Sequence, residues 1–204
     1  MKLYDGGRAP NPRRVRIFFA EKRLPLPEIV PVNLAAFEQK SAEFLALNPT
    51  GQTPVLLLDN GVALSETMAI CRYIEALHPE PALLGTTPLE QAMVEMWSRR
   101  IEFGLYTAVQ AVFRHGHPGM AASETPQIAQ WAEVNRARAE QHLILLEKRL
   151  ENQAFVCGEA FTAADITAGV TVDFLRAAKI ALPEELTHIR RWQASLAARP
   201  SWSA

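Results

Sequence analysis

The 204-residue sequence predicts an α+β N-terminal domain on a mixed four-stranded sheet, followed by an all-helical bundle domain. Short strand-like runs alternate with helical periodicity through the first 78 residues. Within that part, Asn60-Gly61 lies between two apolar runs, a strong hairpin signal. Beyond His78-Pro79-Glu80-Pro81 the strand signals stop and only helical stripes remain. The expected divisions are residues 1–78, a linker at 79–88 and a helical domain at 89–204.

Each element has its own signal. Leu3-Tyr4 forms a first short strand. Val15, Phe18 and Phe19 then recur at helical spacing, with Pro12 suited to the first turn. Residues 28–32 form a second strand, which Pro31 confines to an edge or a strand end. A helix is expected over residues 38–47. Residues 54–58 and 62–64 are the arms of the hairpin. A third helix covers residues 66–77, with Ile70, Tyr73, Ile74 and Leu77 on one side. The order β-α-β-α-β-β-α is that of a thioredoxin-like domain. A helical crossover pairs the first two strands in parallel, and the hairpin adds an antiparallel strand.

In the second part, Met93, Met96, Trp97, Ile101 and Leu105 mark one helical stripe, and Leu143, Leu146 and Leu150 another. Thr162-Ala163-Ala164-Asp165 is a capping box, with Phe161 and Ile166 placed as a hydrophobic staple. A last helix follows Pro183, and His115 to Pro126 reads as a loop between helices.

Composition narrows the function. The chain is 49% hydrophobic and 21% charged with a formal net charge of -1, a balance that points to no nucleic-acid or membrane-surface partner. Its apolar runs are too short to span a bilayer, and Met1 to Gly7 lacks the apolar stretch of a signal peptide, so a cytoplasmic location is expected. Cys71 and Cys157 are far apart in apolar surroundings without ligand spacing. They read as core residues, and no metal is expected.

Three places could carry chemistry. The first is Ala9-Pro10-Asn11-Pro12-Arg13-Arg14-Val15, where Asn11 is a plausible N-cap and Pro12 a plausible first helical residue. The free amides of a helix start hold anions. Arg13, Arg14 and Arg16 oppose the helix dipole there, which fits a bound anion or, more ordinarily, solvation or carboxylate partners. The second is Gln52-Thr53-Pro54. A cis peptide there would offer the Thr53 backbone to an extended peptide ligand, whereas a trans proline at a strand start is the commoner case. The third is Ser65-Glu66-Thr67, with Ser65 as a cap and Glu66 and Thr67 in the first turn. That set suits the α-amino acid end of a ligand, and Glu66 alone also suits the helix dipole.

In this order and spacing the three places resemble a cytosolic glutathione transferase. The resemblance covers nearly the whole chain. It includes Phe44-Leu45-Ala46-Leu47-Asn48-Pro49-Thr50-Gly51-Gln52-Thr53-Pro54-Val55-Leu56, Leu64-Ser65-Glu66-Thr67-Met68-Ala69-Ile70, Gly158-Glu159-Ala160-Phe161-Thr162-Ala163-Ala164-Asp165-Ile166 and the ending Arg199-Pro200-Ser201-Trp202. Each motif alone is weak, while their combination is highly specific for the fold.

The resemblance implies that Pro54 is cis and that Thr53 pairs with the cysteinyl backbone of glutathione. It implies that Glu66 and Thr67 hold the γ-glutamyl group, with Gln39, Lys40 and Gln52 as candidates for the glycyl end. It also implies a homodimer and a second substrate between the domains. Trp97, Arg100, Phe103, Tyr106 and Phe113 are candidate walls for that substrate, or else helix-packing residues.

The sequence departs from the commoner classes at Ala9, where many members carry serine or cysteine. Without a cysteine in this turn a self-contained dithiol oxidoreductase is not expected. Asn11 is the remaining neutral donor and resembles the asparagine of the bacterial Nu class, whose members use bound glutathione in disulfide reduction. Tyr4 is a weaker candidate. Ionising a thiol of pKa ~8.5 at neutral pH takes about two units, roughly 2.7 kcal/mol. A helix start supplies ~0.3–1 kcal/mol, up to ~2 when partly buried. A hydrogen bond to a charged group adds about 1.5–3 kcal/mol. Asn11 either makes that bond or only caps the helix. The function implied is a glutathione transferase that directs the thiolate at an electrophilic or disulfide substrate. The alternative is a non-catalytic partner-binding protein on the same fold, similar to the bacterial stringent starvation protein.

Overall fold

Four strands form one mixed sheet in the order β2-β1-β3-β4. The computed structural model describes residues 1–204. β1 (Lys2–Asp5) buries Leu3 and Asp5 and pairs in parallel with β2 (Glu28–Pro31). β3 (Val55–Leu57) runs antiparallel to β1 and to β4 (Ala63–Ser65). Pro31 ends the edge strand, so its missing N–H costs no ladder bond. The hairpin closes through Leu58 N–H to Val62 O (2.8 Å), with Gly61 at φ 84°. That is backbone space glycine enters without strain.

The parallel crossover is α1 (Pro10–Glu21), which buries Val15, Ile17, Phe18 and Phe19 and packs against α3 (Thr67–Leu77). α2 (Ala42–Leu47) contributes Phe44 to a cluster with Val32 and Val55. Burial of such a ring is worth about 1.5–3 kcal/mol. Tyr4 meets Phe44 edge-on at 6.0 Å, so it fills space. The continuous helix expected from residue 38 is not formed. Glu38–Lys40 is a 3-10 turn, and Ser41 is extended, its hydroxyl accepting from Phe44 N–H at 3.2 Å as the cap of α2.

The chain divides into two compact units, Met1–Ala82 with Pro200–Ala204, and Leu83–Arg199. In the first unit the C-terminal residues lie on α1. The Ser201 hydroxyl donates to the Glu21 carboxylate, and Arg13 stacks over the Trp202 ring at 5.2 Å. Lys22 is buried; its ammonium forms an ion pair with Glu75 Oε2 (2.5 Å) and donates to Pro81 O (2.7 Å) and Pro79 O (3.2 Å).

The second unit is helical. α4 (Pro88–Arg100) opens on a capping box between Thr87 and Glu90. It runs into a π-helical segment, Ile101–Tyr106, and then α5 (Thr107–Gly116). α6 (Ala129–Leu150), α7 (Ala163–Phe174) and α8 (Thr187–Ala197) follow. The first ten residues of α7 are all buried, as expected of a helix apolar on every side. Its one buried charge is Asp165, which accepts from Val156 N–H (2.8 Å), Thr162 N–H (2.9 Å), the Thr162 hydroxyl (3.1 Å) and Trp192 Nε1 (3.0 Å).

The π-helical segment meets α6 at Gly104, where an added Cβ would lie 2.3 Å from His142 Cε1. Gly104→Ala is therefore expected to destabilise the protein by about 1–3 kcal/mol, measured by urea unfolding. No helix is long and apolar enough to cross a membrane, and no group of three or more His, Cys, Asp or Glu side chains is placed to hold a metal ion.

Candidate functional site

The strand register brings the motifs of the first unit to one end of the sheet. Tyr4 pairs with Val55, and Val55 with Ser65. The loop after β1, the Thr53-Pro54 step before β3 and the Glu66-Thr67 step after β4 are therefore neighbours. The Thr53-Pro54 peptide is cis. Gly6 lies directly against Thr53, since an added Cβ would stand 2.6 Å from Thr53 Oγ1 and 2.8 Å from Leu34 Cδ1. This close approach escaped the sequence reading, although Gly6-Gly7 after a strand was its visible signal. Gly6→Ala is expected to push Thr53 and Leu34 aside and to lower stability by about 1–3 kcal/mol, as read by urea unfolding.

The start of α1 differs from the expectation. The helix begins at Pro10, so Ala9 is the N-cap and Pro10 the first helical residue. Asn11 is inside the first turn and caps nothing; its Oδ1 accepts from Arg14 Nη1 at 3.2 Å. Pro10 and Pro12 have no amide hydrogen, and Ala9 N–H turns back to Gly6 O at 3.4 Å. The anion-holding capacity of this helix start thus narrows to the Asn11 backbone N–H and its side-chain amide. The arginines have their own work. Arg16 pairs with Asp5 at 2.5 Å and donates to Gly7 O at 3.2 Å, while Asp5 also accepts from Gly7 N–H at 2.6 Å. Arg13 is engaged with Trp202.

Ser65 does not cap α3, because it is the last residue of β4. Glu66 takes the cap position, with φ 67° and ψ 119° and no side-chain cap bond. A non-glycine residue in that conformation is strained, and such strain clusters at binding sites. The exposed Glu66 carboxylate is left for solvent or a ligand, beside the buried Thr67 that begins α3.

Gln39, Lys40 and Gln52 gather around Gly51. An added Cβ at Gly51 would stand 2.6 Å from Lys40 Nζ and 2.8 Å from Gln39 O. Lys40 Nζ donates to Thr50 O at 3.2 Å. Gln39 Oε1 is buried without a hydrogen-bond partner, an acceptor waiting for a donor. Asn48, 2% exposed, shapes this loop: its Nδ2 donates to Gln52 O (2.8 Å), while its Oδ1 accepts from Thr50 N–H (3.2 Å) and Thr50 Oγ1 (2.9 Å). In the sequence, Asn48 stands out only by its place in the Phe44–Leu56 segment. A cavity of about 940 Å³ in the same unit is lined by Arg8, Arg16, Ile29, Pro31, Glu38 and Trp202 among others, and by none of these groups. It does not contain Thr53, Glu66 or Thr67.

The second-substrate candidates, all in the second unit, do not form one group. Tyr106 and Phe113 converge on Phe174, with ring centroids at 6.3 and 5.1 Å. Trp97 is buried beneath the Arg100 and Arg149 guanidinium groups, at 5.0 and 5.3 Å. Phe103 is 72% exposed, with Arg99 at 5.5 Å. Neither cysteine is an activated nucleophile: Cys71 is buried, and burial pushes the Cys157 thiol up to about 11.

Known proteins match this arrangement along its whole length. Residues 9–77 match the Glutathione S-transferase, N-terminal domain family, and residues 129–194 the Glutathione S-transferase, C-terminal domain family. Glutathione S-transferase 2 of Saccharomyces cerevisiae is 37% identical over 203 residues, 98% of this chain and 87% of the relative. The chain belongs to the glutathione S-transferase family. The crystal structure of Gtt2 from Saccharomyces cerevisiae superposes with a TM-score of 0.95 at 36% identity, covering 100% of this chain and 99% of that one. A glutathione S-transferase domain-containing protein of Marinobacter aquaeolei VT8 is equally similar, with a TM-score of 0.95 at 38% identity over 99% of this chain and 100% of that one. In this transferase-family chain the two-part fold and the mixed sheet are those expected from sequence.

Proposed function

We propose that this chain is a glutathione transferase that binds glutathione at the end of its sheet and ionises the thiol for attack on a second substrate. The strand register that sets Gly6, Thr53-Pro54 and Glu66-Thr67 side by side carries the reading. Thr53, ahead of the cis proline, offers its backbone to the cysteinyl unit. Glu66 pairs with the γ-glutamyl ammonium and Thr67 with its carboxylate. Lys40 and the side-chain NH2 groups of Gln39 and Gln52 donate to the glycyl carboxylate, and the orphaned Gln39 Oε1 is an acceptor for the glycyl N–H. Asn11 donates to the sulfur.

The thiol proton leaves to solvent. The thiolate then forms a bond to an electrophilic carbon, whose leaving group departs with the electron pair, or to one sulfur of a disulfide, releasing the other as thiolate. The half-exposed Tyr106–Phe113–Phe174 patch is the apolar surface offered to the second substrate. The working form is a homodimer, and the working compartment the cytoplasm.

The test is the ultraviolet absorbance of the thiolate against pH, with glutathione bound. The expected thiol pKa is one to two units below ~8.5, accompanied by conjugation of an activated aryl halide. An unshifted thiol would overturn the reading. The partner-binding alternative draws on Ala9, whose side chain offers no donor at the N-cap position. That alternative predicts a protein that conjugates nothing, with or without glutathione bound.

A further inference from the structure

The Asn11 amide has a neighbour whose chemistry decides which way it faces. Arg14, one turn further along α1, is 2% exposed, and its Nη1 lies 3.2 Å from Asn11 Oδ1. A guanidinium carries donors only, so it can meet the oxygen of the amide and not the nitrogen. The Nδ2 group, with two hydrogens, therefore faces away from Arg14. A half-turn of the amide would bring Nδ2 against the guanidinium and present Oδ1 in its place. Lone pairs of Oδ1 repel a thiolate, whereas Nδ2–H stabilises one. The flanking residues give this choice weight, because Pro10 and Pro12 supply no amide hydrogen and Ala9 N–H is spent on Gly6 O, which leaves the Asn11 backbone N–H as the one donor beside the side-chain amide.

We infer that Arg14 is a positioning residue for the thiol of bound glutathione: it clamps Asn11 Oδ1 and so holds the Nδ2 donor toward the sulfur. This rests on the proposed glutathione site. The guanidinium also polarises the amide it holds, which strengthens the Nδ2–H donor. A buried cation can act on a thiolate directly as well, and the two routes make different predictions.

A double-mutant cycle separates them, using Asn11→Ala, Arg14→Met and the pair. Two quantities are read in each protein: the thiol pKa of bound glutathione, and the Kd of S-methylglutathione, which has no thiol to ionise. Arg14→Met is expected to raise the thiol pKa by about one unit and to cut kcat/KM at neutral pH about tenfold. The Kd of S-methylglutathione is expected to stay within about twofold. In the Asn11→Ala background the same change is expected to move neither quantity. Arg14→Lys, which reaches Oδ1 with a single donor, is expected to keep most of the wild-type pKa. Should Arg14→Met not fold, Arg14→Lys takes its place in the cycle, with a smaller shift that vanishes in the Asn11→Ala background.

An equal shift in both backgrounds would overturn the inference in favour of a direct charge effect. Loss of S-methylglutathione binding in step with the loss of rate would overturn it in favour of a structural role. Wild type that fails to bind S-methylglutathione removes the glutathione site itself, a result visible before any Arg14 comparison.

Discussion

Glu66→Gln is expected to weaken glutathione binding by about 10- to 100-fold, the range for losing a charge-assisted hydrogen bond to the ligand ammonium. The substitution keeps the length of the side chain and removes its charge. Glu66 adopts φ 67° and makes no cap bond, so its carboxylate contributes little to the fold. The companion variant Glu66→Gly separates function from strain. Glycine adopts this conformation freely, so the variant is expected to be as stable as wild type or more so, while binding glutathione as weakly as Glu66→Gln. Urea unfolding and calorimetry together check both statements. Glutathione binding unchanged in both variants would place the γ-glutamyl group elsewhere.

Asp165→Ala is expected to cost about 3–5 kcal/mol of stability, the largest effect of any single change considered. Four donors converge on this buried carboxylate from the segment before α7, the start of α7 and the Trp192 ring of α8. Removing the acceptor orphans all of them at once. Asp165→Asn is expected to be milder but still destabilising at neutral pH, since an amide offers one acceptor oxygen and brings two donors of its own.

The pH dependence follows from burial. Burial pushes the Asp165 carboxyl up from 3.8 to about 6, against the pull of its hydrogen bonds. The folded protein therefore holds this proton more tightly than the unfolded chain. That contribution to stability is full below 3.8, is lost as pH rises to about 6, and is constant above. The stability advantage of wild type over Asp165→Asn is thus expected to shrink between about pH 4 and pH 6, followed by urea unfolding at each pH. An advantage that grows across this range would mean that the hydrogen bonds outweigh desolvation.

The elements with strong local signals were legible in the sequence. Asn60-Gly61 specifies a tight hairpin through backbone freedom, and Thr162–Asp165 specifies a helix start through hydrogen bonds three residues apart; both are found where expected. What local pattern could not supply was competition between neighbours. Asn11 is a good N-cap by type, yet Pro10 also suits a first helical position, and the helix begins there, leaving Asn11 inside the turn. Ser65 is likewise a good cap by type, but pairing with Val55 draws it into the sheet. The expected helix from residue 38 is interrupted because Ser41 caps better than it continues. Contacts between distant residues, such as Gly6 with Thr53 and Gly104 with His142, have no local signal beyond a glycine. The π-helical turn at Ile101–Tyr106 interrupts an unbroken apolar stripe and has no signal in residue spacing.

The central claim, that this chain holds glutathione at the end of its sheet, is tested most directly by calorimetric titration of the wild-type protein at neutral pH. Glutathione and glutathione disulfide are titrated separately. Saturable binding of at least one of them is expected, lost or strongly weakened in Glu66→Gln, with preference for the disulfide marking reductase chemistry. Absence of binding of both at millimolar ligand would contradict that claim and leave a transferase fold that works through partner binding.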